Sequence, residues 1–215
     1  MVMNSNKNPK ETLDEIRSIM ERSSRFISLS GLSGIAAGTF AILGAALVYL
    51  YLDMWPFENK RIYYLEAMLT DRWGMSYTTF FLTTAIAVLT GALSSGIFFT
   101  TRKARQRGLK IWDTTSRRLL INLLIPLVTG GIFCLGLFFH GAIGFMAPAT
   151  LVFYGLALVN ASKYTLDDIR YLGFCQIGLG LLSLFFLGFG LEFWTIGFGV
   201  MHIIYGILMY RKYER

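Results

Sequence analysis

The spacing of charge constrains this chain more than any other feature. Phe26–Leu52 runs 27 residues with no Asp, Glu, Lys or Arg, and Trp73–Thr101 runs 29. Leu119–Ser162 runs 44, Tyr171–Leu191 runs 21 and Phe193–Tyr210 runs 18. A helix of about 20 apolar residues crosses the ~30 Å hydrocarbon layer of a bilayer, so each tract is long enough to span. As one helix the 44-residue tract would measure about 66 Å, too long for a single crossing. It must fold back, and "HGAIGFMAP" (His140–Pro148) supplies the reversal, with glycines at 141 and 144 and a proline suited to the first turn of the next helix. Six spans are predicted, at about 26–52, 76–101, 119–140, 145–162, 171–190 and 193–210.

Composition agrees. Apolar residues make up 54% of the chain and charged residues only 15%, against about a quarter in a soluble domain. The first 25 residues hold nine charges and no apolar core, which argues against a cleavable signal peptide. Cys134 and Cys175 are expected at different depths, so neither a disulfide nor a cysteine metal site is predicted.

Charge also gives a direction. Six spans put both termini on one side, and 17 of the 20 Lys and Arg then fall on that side, leaving Lys60, Arg61 and Arg72 opposite. The positive-inside rule makes the crowded side the cytosol. The basic loop Arg102–Arg118 is suited to anionic lipid headgroups, each Lys or Arg near the surface contributing about 1 kcal/mol. Topology accounts for the net charge of +7, so no nucleic-acid partner is required.

Ahead of the first span, "NPKETLDEIRSIMERSSRF" carries a helix-start signature: Asn8 as cap, Pro9 at the first helical position and Glu11 three after the cap. Leu13, Ile16, Met20 and Ile27 follow helical spacing, and Arg17, Glu21 and Arg25 form an i,i+4 ladder on another face. An amphipathic cytosolic helix over 1–25 is expected, lying on the headgroups or docked on a protein. The loop 53–75 is too short for an independent domain, and its Trp and Tyr residues suit the interface.

Inside the spans, Ser30, Gly34 and Gly38 lie at four-residue spacing beside Ala37, Ala41 and Ala45. The last two spans are rich in glycine, a pattern that lets membrane helices approach closely. Pro126 should bend the third span and free a carbonyl, for which Asn122 or a neighbour is a candidate partner.

Chemistry is sparse. No Asp, Glu, Lys or Arg lies deep in a span, which counts against ion-coupled pumps. His140 and His202 fall at different depths, so paired haem ligation is not expected and no cofactor is predicted. "GLSG" (Gly31–Gly34) resembles the Gly-x-Ser-Gly of rhomboid intramembrane proteases, which pair a serine with a histidine in a later span. Ser33 and His202 would form that dyad. Here, however, the serine is in the first span, and His202 precedes Gly206 at HxxxG instead of HxxG. His140, Glu192, Asp53 and Glu66 could converge as a metal or ligand site at the outer rim. His202 itself reads best as an interhelical hydrogen-bonding residue, with Tyr205 on its side of the helix and Gln176, Ser183 or Ser33 as candidate partners.

Two stretches, "ETLDEIRSIMERSSRFISLSGLSG" and "FWTIGFGVMHIIYGILMYRKYER", resemble a family of uncharacterised multi-pass inner-membrane proteins of Gram-negative bacteria. The resemblance implies a membrane protein and brings no activity or catalytic residue. The chain is therefore expected to be an all-α bundle of six transmembrane helices with an amphipathic N-terminal helix. The expected role is non-enzymatic: an accessory, regulatory or partner-binding protein, as a homo-oligomer or with another membrane protein. A small channel or transporter for a neutral or lipid-like solute is the alternative, and a Ser33/His202 hydrolase ranks third.

Overall fold

The computed structural model describes residues 26, 29–53, 55–57, 71–108 and 111–215. The expected amphipathic helix over 1–25 lies outside the described residues, as does Glu66. Among these residues are six principal helices: α1 (Gly31–Leu52), α2 (Tyr77–Gln106), α3 (Thr114–Phe139), α4 (Met146–Ala161), α5 (Asp168–Ser183) and α6 (Gly190–Tyr213). Short 3-10 turns extend α4 at both ends, to Ile143–Tyr164. A two-stranded antiparallel hairpin, β1 (Asp71–Arg72) and β2 (Met75–Ser76), sits between α1 and α2.

Among the described residues five helices are long and apolar enough to cross a membrane: α1, α2, α3, α4 with its flanking turns, and α6. The fifth expected span, α5, is a sixth apolar helix but a shorter one than expected: it has 16 residues and ends at Ser183, not 190. That is about 24 Å of helix against ~30 Å of hydrocarbon. Beyond Ser183 the amides of Leu184, Phe185 and Phe186 bond three residues back, tightening the chain before Gly188, whose φ is +109°.

Other boundaries shift for local reasons. α1 starts at Gly31, not 26, because Ser30 is an N-cap whose Oγ accepts from the Leu32 amide. α2 runs past 101 to Gln106 and carries Arg102, Lys103 and Arg105 as part of the helix. α3 begins at Thr114, five residues ahead of the apolar tract, because Asp113 and Ser116 form a capping box. It ends in a Schellman arrangement: Gly141, at φ +70°, donates to the Phe138 carbonyl and Ala142 to that of Leu137. The reversal predicted at His140–Pro148 is thus built on Gly141.

The helices pack where small residues remove side-chain bulk. A Cβ on Gly38 would come within 2.6 Å of the Gly199 carbonyl oxygen, and one on Gly206 within 2.6 Å of that of Gly31. The α1–α6 contact is therefore backbone against backbone, as the small-residue ridge on α1 predicts. Gly155 and Gly173 do the same for α4 and α5, while Gly44 and Gly91 receive Val88 and Phe40 between α1 and α2, and Gly130 receives Phe153 between α3 and α4. α2 packs mainly on α1 and α3 on α4, and α2 and α3 make little contact with each other.

Both ends are fastened by polar contacts. At the basic end the Glu214 carboxylate accepts from Ser30 Oγ, the Gly31 amide and Lys103 Nζ, and Lys103 also donates to the Leu29 carbonyl. This places an anion on the positive N-terminal end of α1. Arg107 donates to the Tyr213 carbonyl, and Lys212 and Tyr213 both donate to Asp168. Phe26 and Thr165 close the α1 and α4 ends together. At the opposite, hairpin end, Tyr51 stacks on Phe80 at 3.9 Å and donates to the Met75 carbonyl at 2.9 Å. The hairpin turn has Trp73 and Gly74 both at positive φ, the two-residue geometry that matches strand twist.

Candidate functional site

Three polar side chains of the interior, Tyr154 of α4, Gln176 of α5 and His202 of α6, meet at one place. Between Thr195 and Met201, α6 is π-wound, with Gly197 and Gly199 inside the wide turns. The Gly197 carbonyl accepts twice: from Gln176 Nε2 of α5 at 2.8 Å and from His202 Nδ1 at 3.0 Å. A carbonyl only accepts, so Nδ1 carries the proton. The neutral ring then presents Nε2 as acceptor, and it lies 2.8 Å from Tyr154 Oη of α4. Tyr154 is therefore the donor. Gln176 Nε2 also lies 3.5 Å from His202 Nδ1, but both atoms are donors and their shared partner is the carbonyl.

Every hydrogen-bonding atom of His202 is thus satisfied in the uncharged state, which is how an ionisable side chain at 7% exposure is held without a counter-ion. Rings enclose it: Phe198 stacks at 5.9 Å and 11°, and Tyr154 tilts at 5.4 Å. Trp194 continues the stack onto Phe198 at 5.1 Å. Two polar atoms nearby have no hydrogen-bond partner among the described residues: Gln176 Oε1, on a fully buried side chain, and the Tyr205 hydroxyl. Tyr205 packs against the Leu158, Ile169 and Leu172 cluster and makes no hydrogen bond to His202.

Of the partners anticipated for His202, Gln176 is brought to it. Ser183 donates to the Gly180 carbonyl and Ser33 to that of Ser30. Gly34, next to Ser33, faces the His202 backbone carbonyl, so the serine and the histidine share a helix contact and no hydrogen bond. Tyr154, the principal partner, was not anticipated. The available signal was a tyrosine in an otherwise apolar span, which sequence alone cannot distinguish from an interfacial anchor.

The rim residues take separate partners. Asp53 lies 3.6 Å from Arg72, and Glu192 accepts from the Phe57 amide at 3.1 Å. His140 is an exposed C-cap with its ring edge-on to Phe139. Among the described residues no group of three or more His, Cys, Asp or Glu side chains is placed to hold a metal ion. Glu192 is nonetheless buried, and its Oε2 has no hydrogen-bond partner among the described residues.

Pro126 has no amide proton, so the Asn122 carbonyl four residues back loses its helical donor. Asn160 Nδ2 of α4 supplies the replacement at 2.9 Å. The Asn122 side chain turns the other way and donates to the Arg118 carbonyl. Asn122 is thus the residue being served, and Asn160 does the serving.

No protein-family model, curated protein or solved structure matches this chain.

Proposed function

We propose that this chain is a non-enzymatic multi-pass protein of the bacterial inner membrane, with both termini cytosolic, that acts by binding a partner in an accessory or regulatory role. The carrying observation is the uneven use of helix surface. The most apolar windows of α2 and α3 are each only 6% buried within the chain, against 39% for α1, 33% for α4 with its flanking turns and 28% for α6. Most of the apolar surface of these two long helices therefore lies outside the chain's own packing and is left for lipid, a second copy or another membrane protein. The polar groups inside are largely engaged with one another. Exposed arginines at 102, 105, 107, 117 and 118, with Trp112 exposed between them, suit the α2–α3 loop to anionic headgroups.

Cysteines placed one at a time along the outward faces of α2 and α3, followed by crosslinking in native membranes, test this reading. It predicts adducts that recur at helical spacing on at least one of the two. Crosslinking confined to random collision, with no co-purifying protein, would overturn it. A periplasm-only reporter fused to the C-terminus should stay inactive. The transporter alternative draws support from the unbonded Gln176 Oε1 and Tyr205 hydroxyl in the interior.

A further inference from the structure

We propose that α6 is a two-state helix: the Gly197 carbonyl, clamped by Gln176 and His202, holds its π turn open, and relaxation of that turn withdraws Glu192 from the outer loop at Phe57. The proposal concerns the helix itself and stands apart from the partner-binding reading.

Four observations converge. A π turn accommodates one more residue than an α turn, so it is a stored register shift; converting it to α winding turns one half of the helix by about 100° and moves it by about 1.5 Å relative to the other. The wide stretch, Thr195–Met201, coincides with Gly197 and Gly199, and two side chains from outside or below the turn donate to one carbonyl within it. Both donations end on a carbonyl inside the wide winding. Gln176 Oε1 is buried and unbonded in this state, a cost that a rotated backbone can relieve.

The two ends of α6 are held unequally. The basic end is fixed by Glu214 on Ser30, Gly31 and Lys103, and by Lys212 and Tyr213 on Asp168. The hairpin end is held instead by packing, Leu191 lying against the cluster of Val48, Tyr51 and Leu52, and by a hydrogen bond from the Phe57 amide to Glu192 Oε1. Relaxation therefore turns the hairpin-end half. Glu192 lies three residues before the π stretch, and a turn of about 100° carries its carboxylate away from Phe57. A rearrangement at the buried clamp is thereby read out on the outer loop, and because coupling is reciprocal, loosening the loop must also loosen the clamp.

Hydrogen–deuterium exchange on the full chain in lipid nanodiscs tests this, followed in peptides covering Thr195–Met201 and Phe57. Gln176→Met removes one donor to Gly197 at similar volume. His202→Ala removes the other, whereas His202→Asn keeps a donor near the Nδ1 position. The first two should raise exchange in both peptides by roughly three- to tenfold, the population change expected for one lost buried hydrogen bond. His202→Asn should stay near wild type, and Glu192→Ala should raise exchange in Thr195–Met201 as well as at Phe57. Asn160→Leu, at the distant α3–α4 contact, controls for general loosening and should leave the Phe57 amide unchanged. If Gln176→Met fails to fold, the His202 pair and Glu192→Ala carry the test. Exchange that rises at Thr195–Met201 without Phe57, or equally in both His202 variants, overturns the proposal.

Discussion

His202 shows how a single side chain can be ionisable and still be a packing residue. Its Nδ1–H is committed to a carbonyl of its own helix and its Nε2 to Tyr154, so protonating it would force Tyr154 from donor to acceptor and bury a charge without a counter-ion. Nitrogen-15 spectra of the imidazole should show the Nδ1–H neutral tautomer. Tyr154→Phe should lower stability in lipid by about 0.6 kcal/mol and at most about 1.7, the range for interhelical hydrogen bonds in membranes. A charged ring at neutral pH would contradict the assignment. Asp113 is the titrating counterpart at the surface. The Ser116 backbone amide, its largest influence, holds the carboxyl below the usual carboxylate range. A depressed folded-state pKa contributes stability that is present above the ordinary carboxylate range and is lost as pH falls through the lowered value. Asp113→Ala should therefore cost about 1 kcal/mol at neutral pH, as for other lost caps, and the difference from wild type should shrink in acid.

At the scale of the element, α3 and α4 illustrate how a helix defect becomes a helix contact. Pro126 orphans one carbonyl, and Asn160 from the neighbour satisfies it. The pair should behave as a unit. Asn160→Leu in the native background leaves the Asn122 carbonyl unbonded and should cost about 1–2 kcal/mol. In the Pro126→Ala background the carbonyl regains its own helical donor, so the same change should cost well under half as much. A double-mutant cycle by unfolding in mixed micelles measures the difference, and additive effects would show that the asparagine serves something else. The proline was legible in the sequence and so was the need for a donor. Which of several polar residues met that need depended on the rotation of α4 against α3.

For the whole molecule, the basic end is fastened by a buried ion pair. Lys103 and Glu214 are 3.2 Å apart with side chains only 7% and 13% exposed, and they tie together α2, the start of α1 and the end of α6. Removing one member strands a buried charge. Lys103→Met alone should destabilise by about 3 kcal/mol or more, whereas combining it with Glu214→Leu should recover a large part of that loss. Thermal unfolding of the two variants in the same lipid decides it, and equal losses would place the pair in a solvated setting. Sequence reading assigned Lys103 to the basic loop because it lies two residues past a charge-free tract. Its burial was invisible there because the partner is 111 residues away.

The sequence by itself determined the helical class, the approximate positions of the apolar segments and the reversal at Gly141. These follow from local rules: charge exclusion, helix length and turn chemistry act over tens of residues or fewer. It also determined that small residues on α1 would make a close contact, because backbone approach requires them wherever the partner is. Only the tertiary structure decided that α5 stops short, that α6 is π-wound and that Tyr154 faces His202. The same holds for Lys103 meeting Glu214. Each of these depends on which faces meet and in what register, and a hydrogen bond between distant helices has no signature in either helix alone.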